Sequence, residues 1–171
     1  MSDESANAAA NAAALGHDQT AELPWLDDDS GAARVIAAIW ATVDLERTIQ
    51  DLGLDPARAI SAVDDPLIGA RIVTVDAASG QPVTNETIAL AEPNTEGRLA
   101  GFLARHGEGP AGRYVAVPLG VAAITARAAA AGIAVSGPAN GPFGRAVLAL
   151  GGPTSGPNLI LVERPAVPSR P

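Results

Sequence analysis

The sequence predicts an α+β domain made of two similar βαβββ modules. Three observations predict this class. An apolar strand, a helix and a run of further strands occur in that order twice, no helical pattern separates the later strands of either series, and one short amphipathic helix joins the two series. The missing helices favour mixed or antiparallel sheets over a doubly wound parallel sheet.

The first series occupies residues 34–93. Residues 34–43 are apolar and rich in β-branched side chains, which predicts a strand. Asp44 follows at an N-cap position, and Leu45, Ile49 and Leu52 then share one helical face. Further strands are predicted over residues 59–63, 70–75 and 87–91, with a turn at residues 64–66.

A connecting helix is predicted over residues 95–107, where Leu99, Phe102 and Leu103 form one apolar stripe. Glycines in residues 107–112 end this helix. The second series, residues 113–165, begins with a strand over residues 113–118 and a helix over residues 121–131 that stops at Gly132. Its remaining strands are predicted over residues 133–135, 145–150 and 159–162.

The ends of the chain are expected to lie outside this domain. Residues 1–32 are acidic and rich in alanine without sustained periodicity, which predicts a disordered tail, and residues 166–171 form a second tail. Within the first tail, Leu23, Trp25 and Leu26 make an apolar cluster. This cluster either docks on a partner protein or folds back onto the surface of the domain.

Composition excludes several classes of function. The net charge of −8 argues against binding to phosphate backbones, so no nucleic-acid partner is expected. No apolar run approaches the roughly 20 residues that span a bilayer, and the N-terminus is acidic where a secretory signal is positively charged, so a cytoplasmic protein without membrane contact is expected. Cysteine is absent and the only histidines are His17 and His106, which leaves few side chains for metal binding or nucleophilic catalysis.

Short motifs in a fixed order make the chain resemble the vicinal oxygen chelate superfamily, which includes glyoxalases, methylmalonyl-CoA epimerases and bleomycin-resistance proteins. The motifs are Val43-Asp44-Leu45-Glu46-Arg47, Leu90-Ala91-Glu92-Pro93, Leu99-Ala100-Gly101-Phe102-Leu103, Gly107-Glu108-Gly109, Ala131-Gly132-Ile133 and Ile160-Leu161-Val162-Glu163. The resemblance implies two βαβββ modules that pair around a sheet-lined cup. It also implies a divalent metal in that cup and, in the antibiotic-resistance branch, chains that work as homodimers.

The metal ligands of that superfamily are replaced in this chain. The resemblance places ligands on the first and last strands of each module, and the matching positions are Ala37, Ala89, Arg113 and Ile160. None of these side chains is a metal ligand, and a shift of one residue in the alignment supplies no set of donors either. The prediction is therefore that no metal and no other cofactor is bound.

Without a metal, the cup is expected to bind a small, partly apolar organic molecule. Strand alternation places Ala37, Ile39, Ala89, Val115 and Ile160 on the face that lines the cup, as ligand-binding residues. The alternative is that these small and branched side chains fill a solid core.

Three residues are candidates for catalysis. Arg113 is predicted to occupy the place of a lost metal ligand, where it would hold a carboxylate or stabilise an oxyanion; alternatively it faces solvent. Tyr114 is a hydrogen-bond donor or acid, or else a packing residue. His106 is a base, or else a cation that complements the end of its helix.

Three functions follow from these predictions. The first is a metal-independent isomerase or lyase that moves a proton on a small organic ligand. The second is a protein that sequesters such a ligand without reaction, as in the resistance branch. The third is a scaffold that acts through a protein partner bound by Leu23, Trp25 and Leu26.

Overall fold

The computed structural model describes residues 23–26, 33–76, 87–151 and 158–164, and these residues form two βαβββ modules. The first module contains β1 (Arg34–Ala41), α1 (Leu45–Asp51), β2 (Val63–Asp65), β3 (Ala70–Asp76) and β4 (Thr87–Pro93), with a short 3-10 helix at Pro56–Arg58. Its helix begins where the sequence predicts, because the Asp44 carboxylate accepts a hydrogen bond from the Arg47 backbone N–H at 3.0 Å.

A connecting helix, α2 (Arg98–His106), leads into the second module. That module contains β5 (Gly109–Val117), α3 (Val121–Ala130), β6 (Ala134–Gly141), β7 (Gly144–Leu150) and β8 (Leu159–Glu163). Gly132 follows α3 with φ of 71°, a left-handed conformation that glycine adopts without strain, so the predicted end of this helix is confirmed.

All eight strands belong to one sheet, in the order β2-β3-β4-β1-β5-β8-β7-β6. Within each module the first and last strands pair in parallel, β1 with β4 and β5 with β8, and the antiparallel pair of β1 with β5 joins the modules. The two edge strands, β2 and β6, contact each other, so the sheet curls almost closed into a cup. The predicted α+β fold with two βαβββ modules is confirmed.

Strands β2, β5 and β6 differ most from the predictions. Strand β2 covers Val63–Asp65 instead of residues 59–63, and Ala59 forms only an isolated bridge with Val75. Strand β5 begins at Gly109, inside the segment predicted to be a turn, and β6 continues to Gly141 through another predicted turn.

Gly112 allows close strand packing, because a Cβ at this position would lie 2.0 Å from the backbone oxygen of Asn158.

The sheet separates an inner core from two outer cores. The inner core fills the cup and includes Leu99 and Phe102 of α2. On the outer face, α1 covers the first module together with Trp40, and α3 covers the second module. No helix in the described ranges is long and apolar enough to cross a membrane.

The segment Leu23–Leu26 packs against the second module, although it falls within the predicted tail. Leu23 and Leu26 are buried in the outer core beside Val121 and Ile124 of α3, and the Arg127 guanidinium donates a hydrogen bond to the Leu26 carbonyl at 3.0 Å. The cluster therefore folds back onto the domain. The rest of the predicted tails, residues 1–22, 27–32 and 166–171, lies outside the described residues.

Candidate functional site

Four of the predicted ligand-binding residues lie on the cup face, but they are not accessible to solvent. Ala37, Ile39, Ala89 and Ile160 have relative exposures of 2%, 1%, 0% and 0%. They pack in one cluster with larger side chains, which are Leu67, Ile68, Leu99 and Phe102. The alternative prediction, a cup filled by its own side chains, describes these residues.

The predicted facing of β5 is wrong by one residue. Tyr114 lies opposite Ala37 on β1 and Ile160 on β8, so the tyrosine occupies the cup-facing position that was predicted for Arg113. Arg113 lies opposite Leu159, on the outer face. Val115 also belongs to the outer core under α3, so it cannot line the cup.

The error lies in the counting and not in an irregularity of the strand. From Arg113 to Val117, β5 pairs with β8 in unbroken register, so the faces alternate regularly there. The two register shifts between β1 and β5 leave Ile36 and Ala111 as extra residues, and neither lies between Arg113 and α3. Counting back from the end of α3 does not fix the register of β5, and a slip of one residue moves every side chain to the other face.

Tyr114 forms a buried hydrogen bond with Asp65 inside the cup. Its hydroxyl donates to Asp65 Oδ2 at 2.7 Å, and the Leu67 backbone N–H donates to Asp65 Oδ1 at 2.9 Å. Both side chains are 1% exposed, and the Tyr114 ring lies 4.8 Å from the ring of Phe143. The pair joins β5 of the second module to the end of β2 in the first.

Burial controls the proton affinity of this pair. Removal from water raises the pKa of the Asp65 carboxyl, and the hydrogen bonds from Tyr114 and Leu67 oppose part of that rise. Burial also raises the pKa of the Tyr114 hydroxyl well above its usual range, and the negative charge of Asp65 raises it further. Tyr114 therefore keeps its proton and acts as a donor to Asp65.

The sequence interpretation of residues 64–66 as a turn found only one of the two roles of Asp65. The hydrogen bond from Leu67 is the local turn contact that such a residue is expected to make. The contact to Tyr114 is 49 residues away in sequence. The signal that could have indicated it is the lone tyrosine on an apolar strand, because a buried tyrosine hydroxyl usually has a hydrogen-bond partner.

The four positions matched to metal ligands do not fit a divalent ion. On the cup face they hold Ala37, Ala89, Tyr114 and Ile160, which supply one oxygen donor, the Tyr114 hydroxyl, and that hydroxyl is bonded to Asp65. A divalent ion needs several nitrogen or oxygen donors together. Within the described residues, no group of three or more His, Asp or Glu side chains is placed to hold a metal.

Two open clefts lie beside the C-terminal end of α2. The larger has a volume of about 400 Å³ and is lined by Phe102, His106 and residues 107–110. The smaller, of about 150 Å³, is lined by Arg98, Phe102, Arg105, His106 and Asn158. Phe102 and His106 line both clefts, and their ring centroids are 4.9 Å apart. We call the two clefts together the α2 cleft.

Glu108, on the wall of the larger cleft, is held in its ionised form. Its carboxylate accepts hydrogen bonds from the Val43 backbone N–H at 2.8 Å and the Thr42 hydroxyl at 2.7 Å, and it pairs with Arg47. The hydrogen bond from Val43 is the largest of the causes that lower the pKa of Glu108. Glu108 therefore ties α2 to the start of α1 and is not suited to donate a proton.

The three predicted catalytic residues are not brought together. His106 lies exposed at the end of α2, Tyr114 is buried in the cup, and Arg113 lies on the outer face of β5. No contact described above joins any two of them. Of the three, only His106 lines the α2 cleft.

Solved structures share this fold. A hypothetical protein from Bacillus halodurans C-125 has a TM-score of 0.58 and 18% identity, covering 81% of this chain and 99% of that chain. A variant of Streptomyces coelicolor methylmalonyl-CoA epimerase, in complex with 2-nitronate-propionyl-CoA, has a TM-score of 0.59 and 20% identity, covering 78% and 98%. The methylmalonyl-CoA epimerase of Mycobacterium tuberculosis has a TM-score of 0.58 and 21% identity, covering 78% and 88%.

These similarities define a protein with the vicinal oxygen chelate fold and confirm the predicted resemblance at the level of the fold. No protein-family model and no curated protein sequence matches the chain. At about 20% identity, the solved structures establish the architecture of this chain, and its function has to be argued from its own residues.

Proposed function

We propose that the protein binds a small, partly apolar organic molecule, and that the ligand occupies the α2 cleft instead of the cup interior. The observation that carries this proposal is the shared wall of Phe102 and His106, which offers an apolar ring and an imidazole to both clefts. A concave surface with apolar walls and a few polar groups is the usual form of a small-molecule site.

The ligands of fold neighbours indicate which compounds to test first. The Streptomyces coelicolor variant was solved with 2-nitronate-propionyl-CoA, and another methylmalonyl-CoA epimerase was solved with methylmalonyl-CoA. Acyl thioesters of this kind combine an acyl group, an extended linker and negatively charged groups. Such a ligand matches the α2 cleft, because the cleft has apolar walls for the acyl group and cationic side chains for the negatively charged groups.

For an enzymatic role we propose proton transfer, either isomerisation or elimination. An imidazole can accept and return a proton near neutral pH, so His106 is the base in this proposal. It would take a proton from the carbon next to a carbonyl and then return it, on the same face, to another carbon of the conjugated enolate, which is an isomerisation. In the elimination, the imidazole would keep the proton while a leaving group departs with its electron pair from the neighbouring carbon. Arg113 and Tyr114 take no part in this step, because neither lines the α2 cleft.

Three further features belong to the proposal. Independence of metal rests on the donor set at the four matched positions, and a homodimer rests on the resemblance to the resistance branch. A cytoplasmic location is the third feature. Native mass spectrometry of protein purified from cells, without added metal, tests the first two together: it should report a dimer without a stoichiometric divalent ion.

The binding proposal is tested by titrating the protein with methylmalonyl-CoA while following backbone amides by NMR. We expect the amides of α2 and residues 107–110 to shift, and the His106→Ala variant to bind at least tenfold more weakly, a loss of about 1.4 kcal/mol. The control is Arg145→Ala, an exposed residue on β7 that lines neither cleft. Shifts confined to cup residues such as Ala89 and Ile160 would contradict the location.

Sequestration without reaction is a second candidate, favoured because the predicted catalytic residues are separated from one another. The two candidates predict different results when the exchange of a ligand proton with solvent deuterium is measured. An isomerase should exchange the proton next to the thioester carbonyl with deuterium from the solvent, and the His106→Ala variant should lose that exchange. A sequestering protein should bind the same thioester and leave its proton in place.

The scaffold alternative is not favoured. Binding of a protein partner through Leu23, Trp25 and Leu26 requires these side chains to be available at the surface. Leu23 is 0% and Leu26 is 3% exposed, because both pack against α3. Only Trp25 retains partial exposure.

A further inference from the structure

We infer that the smaller part of the α2 cleft is an anion subsite, in which Arg98 and Arg105 hold a carboxylate or phosphate group of an organic ligand. The subsite rests on the ligand cleft proposed above and specifies the chemical class of its ligand. The larger part, beside Phe102 and Pro110, would then hold the apolar body of the same molecule.

Helical spacing gathers the cations at one place. Arg98, Phe102, Arg105 and His106 stand at positions i, i+4, i+7 and i+8 of α2, so they share one face of the helix. All four line the 150 Å³ cleft together with Asn158. Two guanidinium groups and an imidazole therefore converge on a space of the size of a small anionic group.

This concentration of positive charge is unusual in the chain as a whole. The protein carries 19 acidic residues against 11 Lys and Arg, yet α2 contains no Asp or Glu. Two other arginines pair with acids, Arg47 with Glu108 and Arg71 with Glu92. Among the described residues, no ion pair includes Arg98 or Arg105.

The helix dipole explains only part of this arrangement. Arg105 and His106 lie in the last turn, where cations are stabilised by the partial negative charge of the helix end. Arg98 is the first residue of α2, where the partial charge is positive and a cation is disfavoured. An anion between the two arginines would offset both this repulsion and that between the like charges.

The base of the subsite is held in place by hydrogen bonds. Arg105 Nε donates to the Gly101 carbonyl at 2.9 Å, which anchors the guanidinium along the helix. Asn158 is 2% exposed, and its Nδ2 donates to the Ala111 carbonyl at 2.8 Å. A guanidinium has five N–H donors and binds carboxylate and phosphate groups through two parallel hydrogen bonds, so an anchored Arg105 is suited to either anion.

The test uses inorganic pyrophosphate and succinate as probes on the full-length protein, each followed by NMR shifts of the α2 amides. The variants are the double substitution Arg98→Gln/Arg105→Gln, its conservative counterpart Arg98→Lys/Arg105→Lys, and the control Arg145→Gln. We expect at least one probe to bind, the glutamine variant to bind it about tenfold or more weakly, and the lysine variant to retain part of the affinity. Binding should also weaken as salt is added, because these cations are exposed to solvent.

A neutral aromatic probe, N-phenyl-1-naphthylamine, separates this inference from the proposed ligand cleft. If the neutral probe binds and neither anion does, or if the glutamine variant binds the anions as well as the wild type, the anion subsite is wrong while the apolar cleft stands. If an anion binds with the expected arginine dependence and the neutral probe does not bind, the subsite stands and the apolar cleft is wrong. If none of the probes binds, both are wrong.

Discussion

The cup interior and the α2 cleft are opposite kinds of concave surface on one domain. In the cup, the polar groups Tyr114 and Asp65 are buried and bonded to each other within a cluster of buried apolar side chains. In the α2 cleft, Arg98, Arg105 and His106 are exposed beside the ring of Phe102. One helix produces both, because Leu99 and Phe102 close the cup while its cationic residues line the outer cleft. Among the described residues, the cup face therefore carries a packed apolar core, whereas the exposed side of α2 carries the cleft.

The largest expected effect tests whether the cup is a packed core. Replacing Ile160 by Ala should lower the free energy of unfolding by about 2–5 kcal/mol, because a fully buried side chain leaves a cavity. The matched control is Ile60→Ala, which changes a side chain 59% exposed and should shift stability by about 0.5 kcal/mol or less. Denaturation by urea measures both. Equal losses at the two sites would show that the cup interior is not packed.

The next effect concerns the polar pair in the cup. Tyr114→Phe should cost about 1–3 kcal/mol, because it leaves the buried Asp65 Oδ2 without its donor. The same change removes a hydrogen bond that lowers the pKa of Asp65, so that pKa should rise further. As a control, Asn94→Ala removes an exposed hydrogen bond to Asp64 and should cost much less. A Tyr114→Phe protein as stable as the wild type would mean that the pair does not join the modules.

A smaller effect appears in the pH dependence of stability. Burial raises the pKa of Asp65 above its ordinary value of 3.8, so the folded state binds this proton more readily than the unfolded state. Asp65 makes its full contribution to stability when the pH is below the ordinary pKa of a carboxyl group. This contribution is lost as the pH rises through the higher pKa of Asp65 in the folded state. The stability advantage of the wild type over Asp65→Asn should therefore shrink as the pH is raised.

Glu108, which lies outside the cup, should change stability with pH in the opposite direction to Asp65. Its pKa is lowered in the folded state, so its contribution is present above the ordinary value and is lost as the pH falls. The advantage of the wild type over Glu108→Gln should therefore grow as the pH rises. Urea denaturation at several pH values measures both slopes, and slopes of the same sign would contradict the assigned directions.

The smallest effect on stability is expected in the α2 cleft. His106→Ala should change the free energy of unfolding by about 0.5 kcal/mol or less, because the imidazole is exposed. Its effect should appear in the binding of methylmalonyl-CoA. A large loss of stability together with unchanged binding would mean that His106 is a packing residue, as the cup residues are, and not a ligand-binding residue.

Local signals in the sequence were sufficient for most of the fold. The Asp44 N-cap and the end of α3 before Gly132 depend on neighbouring residues, so they could be predicted. The cup-facing positions of β1, β4 and β8 also followed from alternation, as Ala37, Ala89 and Ile160 show. The facing of Arg113, Tyr114 and Val115 could not, because it depends on the register of β5 against β1 and β8, which counting back from α3 does not fix.

The candidate site was less predictable than the fold, since it depends on contacts between distant residues. Tyr114 lies on the inner strand β5 and Asp65 on the edge strand β2, and they meet because the sheet curls around the cup. The same curl brings the other edge strand, β6, close to Asp65, where a Cβ at Gly141 would lie 3.1 Å from Asp65 Oδ2. The sequence analysis selected His106 but not the arginines beside it, although helical spacing places Arg98 and Arg105 on the same face. What the sequence does not show is the cleft that these side chains line together with Asn158, which is distant in sequence.

The docking of Leu23–Leu26 determines how a shortened chain would behave. A protein truncated to begin at residue 33 would lose two side chains of the outer core and expose apolar surface around Val121 and Ile124. Such surfaces promote self-association and aggregation. Oligomers formed by an N-terminal deletion would therefore report an uncovered core, and a shortened chain intended for crystallisation or assay should begin before Leu23.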